Sequence, residues 1–350
     1  MFWYLLFFIS IFTITYSGFS LYKKIVALGS VVFLFSALRY GISYDYFLYI
    51  RFILSDYRHK EPIPALIEEL AHYIGFPFFF VITSFITTVC FIKGIKKGST
   101  YPIDSIYFYI GCPFLFFNYI SIVRQALATG FVLLAMTYGY DKKKIKTVCL
   151  LLAVCCHFSA VVAFLLYLPL NKFDRKKMWQ LMFVSLFWGT LFISLLMNVL
   201  PSGYLSFKLN QYATTNMAGG TIWRVFVYLL TIIVMINHNK LLSIRSINKY
   251  YINNIYMGTI LYSLLSVNTH MAIRTYSFFG IALLFLIPDI IRIYGIKKLF
   301  YRVVCIAMFC VSVWGAYVTN DRETIVFYPY RTYFDINLDD MINDVIEDTK

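Results

Sequence analysis

Of the chain's 350 residues, 60% are hydrophobic and only 14% charged, and the mean hydropathy is +0.72. A soluble domain carries about a quarter charged residues, so this chain lacks the polar surface to face water, and the soluble classes are excluded. Its 31 basic residues against 17 acidic ones give a net charge of +14. In a soluble protein that excess would point to nucleic acid; here it lies in short lysine clusters between apolar runs, as the positive-inside rule requires, and no nucleic-acid partner is expected.

The first residues, MFWYLLFFISIFTITYSG, have no basic n-region and read as a retained span rather than a cleavable signal. Apolar runs predict spans over roughly 2–17, 25–38, 76–92, 103–120, 125–140, 178–199, 222–237, 251–267, 275–291 and 299–318. Several are shorter than the ~20 residues of a standard span and lean on flanking Tyr, Trp and Lys. The stretch from Ile145 to Leu170 is different. Lys142, Lys143, Lys144 and Lys146 stand at its start, and Lys172, Arg175, Lys176 and Lys177 follow it. Two basic flanks place both ends in the cytoplasm, so two half-helices turning near His157, Phe158 and Ser159 are expected.

With that hairpin every basic loop cluster falls on one face, accompanied only by Asp104, Asp141, Asp174 and Asp289. Both termini then lie outside. The expected fold is an all-α polytopic integral membrane protein, with about ten transmembrane helices plus the hairpin over 145–170, in a single membrane domain spanning 1–350. Three outer segments, 39–75, 201–221 and 319–350, are long enough to hold chemistry. The last is acidic and is expected to form a short surface helix after Asn337. The seven cysteines include no CxxC, and no His/Cys spacing suits zinc, so neither a disulfide framework, a metal nor a cofactor is expected.

Ionisable groups beside apolar runs are costly, which makes each a functional candidate. Arg39, Arg124, His157 and Arg274 are four such groups, and the sidedness above puts all of them at the outer boundary. Each has a plainer reading. Arg39 and Arg274 suit snorkelling to headgroups, a lone histidine suits packing, and Asp45, Asp56, Glu61, Glu68 and Glu69 suit a solvated loop face. Tyr40, Tyr44, Tyr46 and Tyr49 suit an interfacial belt. Together they carry more weight than singly. Guanidinium forks match phosphate oxygens, aromatic faces stack on sugars, and carboxylates bind hydroxyls; a lipid-linked, phosphate-bearing sugar fits the set.

Several strings are similar to the EpsG family of Wzy-type polymerases of O-antigen, capsule and exopolysaccharide. Arg39-Tyr40-Gly41 with Asp45-Tyr46 and Tyr49 resembles the family's opening pattern, although Ile42-Ser43-Tyr44 stands where the family usually has one residue. Glu61-Pro62, Arg124-Gln125-Ala126-Leu127-Ala128, His157-Phe158-Ser159-Ala160, Arg274 with Tyr276 and Phe278, and Tyr328-Pro329-Tyr330-Arg331 follow in family order. The resemblance implies a GT-C-like, metal-independent glycosyltransferase of the hexosyltransferase type in the bacterial inner membrane. Its outer segments and active site would face the periplasm. Its substrates would be undecaprenyl-pyrophosphate-linked oligosaccharides amid membrane lipid, and its partner a Wzz-type chain-length regulator.

Under that resemblance Arg124, Arg274 and Arg39 would bind pyrophosphate, and His157 or Asp45 would act as base. Glu61, Gln125, Tyr46, Tyr49, Ser159, Tyr330 and Arg331 would contact substrate. Other classes remain in view. A GT-C transferase with a polyprenyl-phosphate donor needs similar arginines. A flippase needs charge deep along an aqueous path and often shows internal repeats, neither of which is evident here. A membrane acyltransferase is a weaker alternative, whose histidine-dependent chemistry could use His157.

Overall fold

The computed structural model describes residues 2–55, 57–139, 142–168, 175–199, 220–266, 268–318 and 327–336, with no side-chain description for 189–199, 220 and 221. Helices dominate. In chain order they are α1 (Phe2–Tyr16), α2 (Leu21–Ala37), α3 (Tyr46–Leu54), α4 (Pro62–Ile74), α5 (Pro77–Gly98), α6 (Pro102–Gly111), α7 (Phe116–Ser121), α8 (Val123–Met136) and α9 (Lys143–Cys156). A 3-10 segment (Phe158–Tyr167) follows, then α10 (Arg175–Val199), α11 (Gly220–Ile236), α12 (His238–Ile244), α13 (Asn248–Leu264), α14 (Thr269–Gly280), α15 (Leu283–Ile293) and α16 (Lys298–Val318). The one sheet among the described residues is a ribbon of β1 (Arg39–Tyr40) antiparallel to β2 (Arg331–Thr332).

Local chemistry sets the helix ends. Ser20 caps α2 by accepting from the Lys23 amide. Prolines open α4, α5 and α6, where a missing amide proton costs nothing. Lys96 and Lys97 close α5 at the end where its dipole favours cations. Among the described residues α5 and α16 are each long and apolar enough to cross a bilayer, and the bent pairs α11–α12 and α14–α15 raise the number to four if each pair is one span. The chain is a helical membrane protein.

Two of the expected single spans are divided. The run 103–120 splits into α6 and α7 because Pro113 has no amide proton and holds Cys112 in extended backbone, at φ −77° and ψ 118°. The run 275–291 splits after Gly280, a poor helix former, and the chain bends by 65° there.

Residues 143–167 fold as a hairpin. α9 stops at His157, whose backbone is extended at φ −160° and ψ 117°, and the 3-10 segment returns along it. The open ends meet: Lys146 Nζ donates to Leu166 O at 2.8 Å, and the Tyr167 hydroxyl donates to Lys143 O at 3.0 Å. Buried Lys146 also donates to Gly139 O at 3.1 Å and to the Tyr250 hydroxyl at 3.0 Å. A helix the length of α9 spans about 21 Å, so His157 stands about that far from Lys143 at the hairpin's base.

α8 packs between α9 and α5 at close range. A Cβ on Gly130 would sit 2.9 Å from Cys90 Cβ, and one on Gly94 only 2.8 Å from Leu133 Cγ; such small residues let helix backbones approach in lipid. Buried carboxylates fasten the other end. Asp104 on α6 accepts from Arg302 Nε at 2.9 Å and from Arg292, while Asp289 on α15 accepts from Asn248 at 3.0 Å and faces Arg245 at 3.6 Å. These two acids belong to the set placed among the lysine clusters. Asp141, Asp174, Asp56, the segment 201–219 and the helix expected after Asn337 lie outside the described residues.

Candidate active site

Two distant stretches of sequence meet at the carboxylate of a third, and a fourth reaches the histidine bound to it. Glu61 is the residue that precedes α4, in extended backbone. Its Oε2 accepts from an Arg124 guanidinium nitrogen at 2.7 Å, and its Oε1 accepts from His157 Nδ1 at 3.1 Å. Both of its oxygens are therefore engaged by other elements. Burial raises the Glu61 carboxyl, but the hydrogen bond from His157 and the charge of Arg124 outweigh it and hold it at about 2. It stays ionised at any physiological pH.

Arg124 lies in the first turn of α8, a helix whose start has no side-chain cap. The helix dipole disfavours a cation there and favours an anion. Glu61 offsets that cost now, and an anionic ligand would do so equally. Tyr49 on α3, itself buried, meets the same guanidinium. Arg124 keeps 24% of its side chain exposed, against 14% for His157 and 7% for Glu61. The cluster thus opens outward on its arginine side.

Arg274 is the fourth member. α14 begins at Asn268, whose side chain accepts from the Met271 amide at 2.9 Å. Gln125, fully buried beside Arg124, donates from Nε2 to Arg274 O at 2.8 Å and to Ser277 Oγ at 2.6 Å. Ser277 in turn donates to the same Arg274 carbonyl at 2.7 Å. Gln125 therefore lashes α14 to α8 and sets where Arg274 leaves its helix. From there the half-buried Arg274 acts electrostatically on the His157 ring together with Arg124. Two arginines against one ionised carboxylate leave a net positive cluster.

The other candidates lie elsewhere. Arg39 is 1% exposed, and its guanidinium donates to Ser36 O, to Ser84 Oγ at 3.3 Å and to Ile120 O at 3.2 Å. It lies against the Phe80 ring, 5.1 Å from the centroid, and staples α2, α5 and α7 around a small hydroxyl-lined cavity of about 20 Å³. Tyr46 stacks on Phe80 at 4.3 Å and shares a 2.7 Å hydroxyl contact with Tyr333. Tyr330 stacks on Phe35 at 4.3 Å and donates to its carbonyl. Arg331 pairs with Tyr40 across the ribbon. These residues clamp the C-terminal segment onto the 39–46 loop. Asp45 is half-buried just before α3 and acts electrostatically on Tyr49, and Ser159 is exposed beside the hairpin tip.

Three residues that the sequence hides or presents as solvated stand out in the fold. Glu68 is fully buried and holds the folded loop by accepting from the His59 amide at 3.0 Å and from the His59 ring. It lies seven residues, about two helical turns, beyond Glu61 at the start of α4, the available signal. His59 itself stands two residues before Glu61. His270, one turn before Arg274, lies within that arginine's electrostatic reach.

Fold and cluster define a helical membrane protein that presents an arginine-rich, histidine-bearing polar site. Residues 22–332 match the EpsG family, and the chain belongs to that family. The family places it among polymerase-type, glycosyltransferase-like membrane proteins of exopolysaccharide or O-antigen biosynthesis. No curated protein and no solved structure gives a significant match.

Proposed function

We propose that the protein is a repeat-unit polymerase of the bacterial inner membrane. It transfers a glycan block from undecaprenyl pyrophosphate to a second lipid-linked repeat on the periplasmic face. The observation that carries this reading is the convergence of Arg124, Arg274, His157 and Glu61 from four separate elements. In the proposed step, the acceptor sugar's hydroxyl loses its proton to His157 as its oxygen bonds to the donor's anomeric carbon. The anomeric carbon–oxygen bond breaks, and its electron pair leaves on the undecaprenyl pyrophosphate. Arg124 and Arg274 stabilise the charge that develops on that leaving group, and His157 supplies general-base catalysis. His157 is preferred to Asp45 as base because it adjoins both arginines, whereas Asp45 lies at the start of α3.

The test is reconstitution. Purified protein in proteoliposomes, given an undecaprenyl-pyrophosphate-linked repeat as sole substrate, is expected to build polymer with release of undecaprenyl pyrophosphate. If it moves that lipid across the bilayer without joining repeats, it is a flippase. If it transfers sugar only from a polyprenyl monophosphate, it is a single-sugar transferase.

The proposed sidedness rests on the lysine clusters and the hairpin whose ends meet at Lys143, Lys146 and Tyr167. Single cysteines at Lys143, Lys176 and Phe334, three exposed positions, test it in a background lacking the native cysteines. An impermeant maleimide added to whole cells should label the Phe334→Cys variant and miss the other two. Labelling at one of the lysine positions and not the other would end the proposal that both hairpin flanks are cytoplasmic.

A further inference from the structure

Both oxygens of Glu61 are engaged by protein groups, and one of them faces the ring of His157. An ionised carboxylate can only accept hydrogen bonds, so the 3.1 Å contact from His157 Nδ1 to Glu61 Oε1 requires the ring proton on Nδ1. The geometry leaves the pair little freedom. Arg124 holds the second oxygen at 2.7 Å, so the carboxylate cannot rotate away. The His157 amide donates to Ala153 O at 2.9 Å, and its carbonyl accepts from the Ala160 amide at 2.9 Å, which fixes the backbone on both sides of the ring. With Glu61 7% and His157 14% exposed, little water competes for the bond.

We infer that Glu61 is a positioning residue that holds His157 as the Nδ1–H tautomer, leaving the Nε2 lone pair as the proton acceptor, and that it joins this base to the Arg124 clamp. The role in turnover rests on the polymerase reading; the tautomer does not. The charged groups that face the ring are Glu61 before α4, Arg124 on α8 and Arg274 on α14. Two cations disfavour an imidazolium, and Glu61 is the one anion among them. Burial disfavours the imidazolium as well, so among these groups Glu61 alone raises the ring's affinity for a proton. A Glu61→Gln substitution removes the charge and lets an amide N–H face Nδ1, which favours the opposite tautomer.

The test combines spectroscopy with kinetics. Protein labelled with ¹⁵N-histidine in lipid bilayers contains five histidines, and the His157 signals are identified by their loss in the His157→Gln variant. Magic-angle-spinning NMR should show His157 as Nδ1–H in the wild type. In Glu61→Gln the Nε2–H form should appear, and turnover should fall about 10²-fold with KM little changed. The acidic limb of the pH–rate profile should move down by about 1–2 pH units, and Glu61→Asp should restore part of the wild-type tautomer and limb. A wild-type ring protonated on Nε2, or a Glu61→Gln variant that keeps the wild-type tautomer and acidic limb, would overturn the inference. Protein that shows the Nδ1–H ring yet joins no repeats would instead retire the polymerase reading and leave the Glu61–His157 geometry standing.

Discussion

Replacing Arg124 by lysine is expected to cut polymer formation by about 10²–10³-fold, the effect of removing one preorganised donor from a developing negative charge. Lysine preserves the charge, so Glu61 keeps an ion-pair partner, but a single ammonium cannot hold Glu61 and span phosphate oxygens as a planar fork does. The substitution removes the 2.7 Å bond to Glu61 Oε2 in its present geometry, together with the meeting with Tyr49. The folded state should change little, with a thermal midpoint in detergent within about 4 °C of wild type. Single-turnover assays with a lipid-linked repeat separate the two effects. A lysine variant that polymerises at the wild-type rate would reduce Arg124 to an anchor of the α4 loop.

His157→Gln should cost turnover about 10²–10⁴-fold, the usual contribution of a general base. The substitution is chosen because the glutamine amide can donate to Glu61 Oε1 in place of Nδ1. Packing at the hairpin tip is then retained while the acceptor nitrogen is removed. Cells carrying the variant should accumulate glycan with a single repeat at normal protein abundance.

The pH dependence separates the two members of the pair. Glu61 is held below its ordinary value of 4.5, at about 2. Its contribution to stability is therefore complete above about 4.5 and is lost only as the pH falls from there toward 2. If His157 is the base, the acidic limb of the wild-type pH–rate profile lies above the range in which Glu61 titrates, and it should disappear in the glutamine variant. Persistence of the same limb at a near-wild-type rate would pass the base role to Asp45.

The membrane class, the hairpin that turns at His157, and Arg124, His157 and Arg274 as candidates were legible in the sequence because each rests on a local cost. Apolar runs cannot face water, lysine clusters resist translocation, and a charge beside hydrocarbon must be held by something. The helix breaks near Pro113 and after Gly280 were also written locally, but within apolar runs that hydropathy alone reads as continuous. Glu61 and Glu68 show where local reading stops. In the sequence both belong to a polar loop, yet the fold buries them, one between Arg124 and His157 and the other beneath His59. Likewise Arg39 looks equivalent to Arg124, since each closes or interrupts an apolar run. Only packing separates them: Arg39 faces inward to backbone carbonyls and the Phe80 ring, while Arg124 faces a carboxylate and an open edge. Partners 63, 96 and 149 residues apart bind the site together, and no pattern along the chain encodes such distances. The sequence determined which groups must be neutralised; the tertiary structure chose their partners, because a buried charge settles wherever the folded chain can surround it.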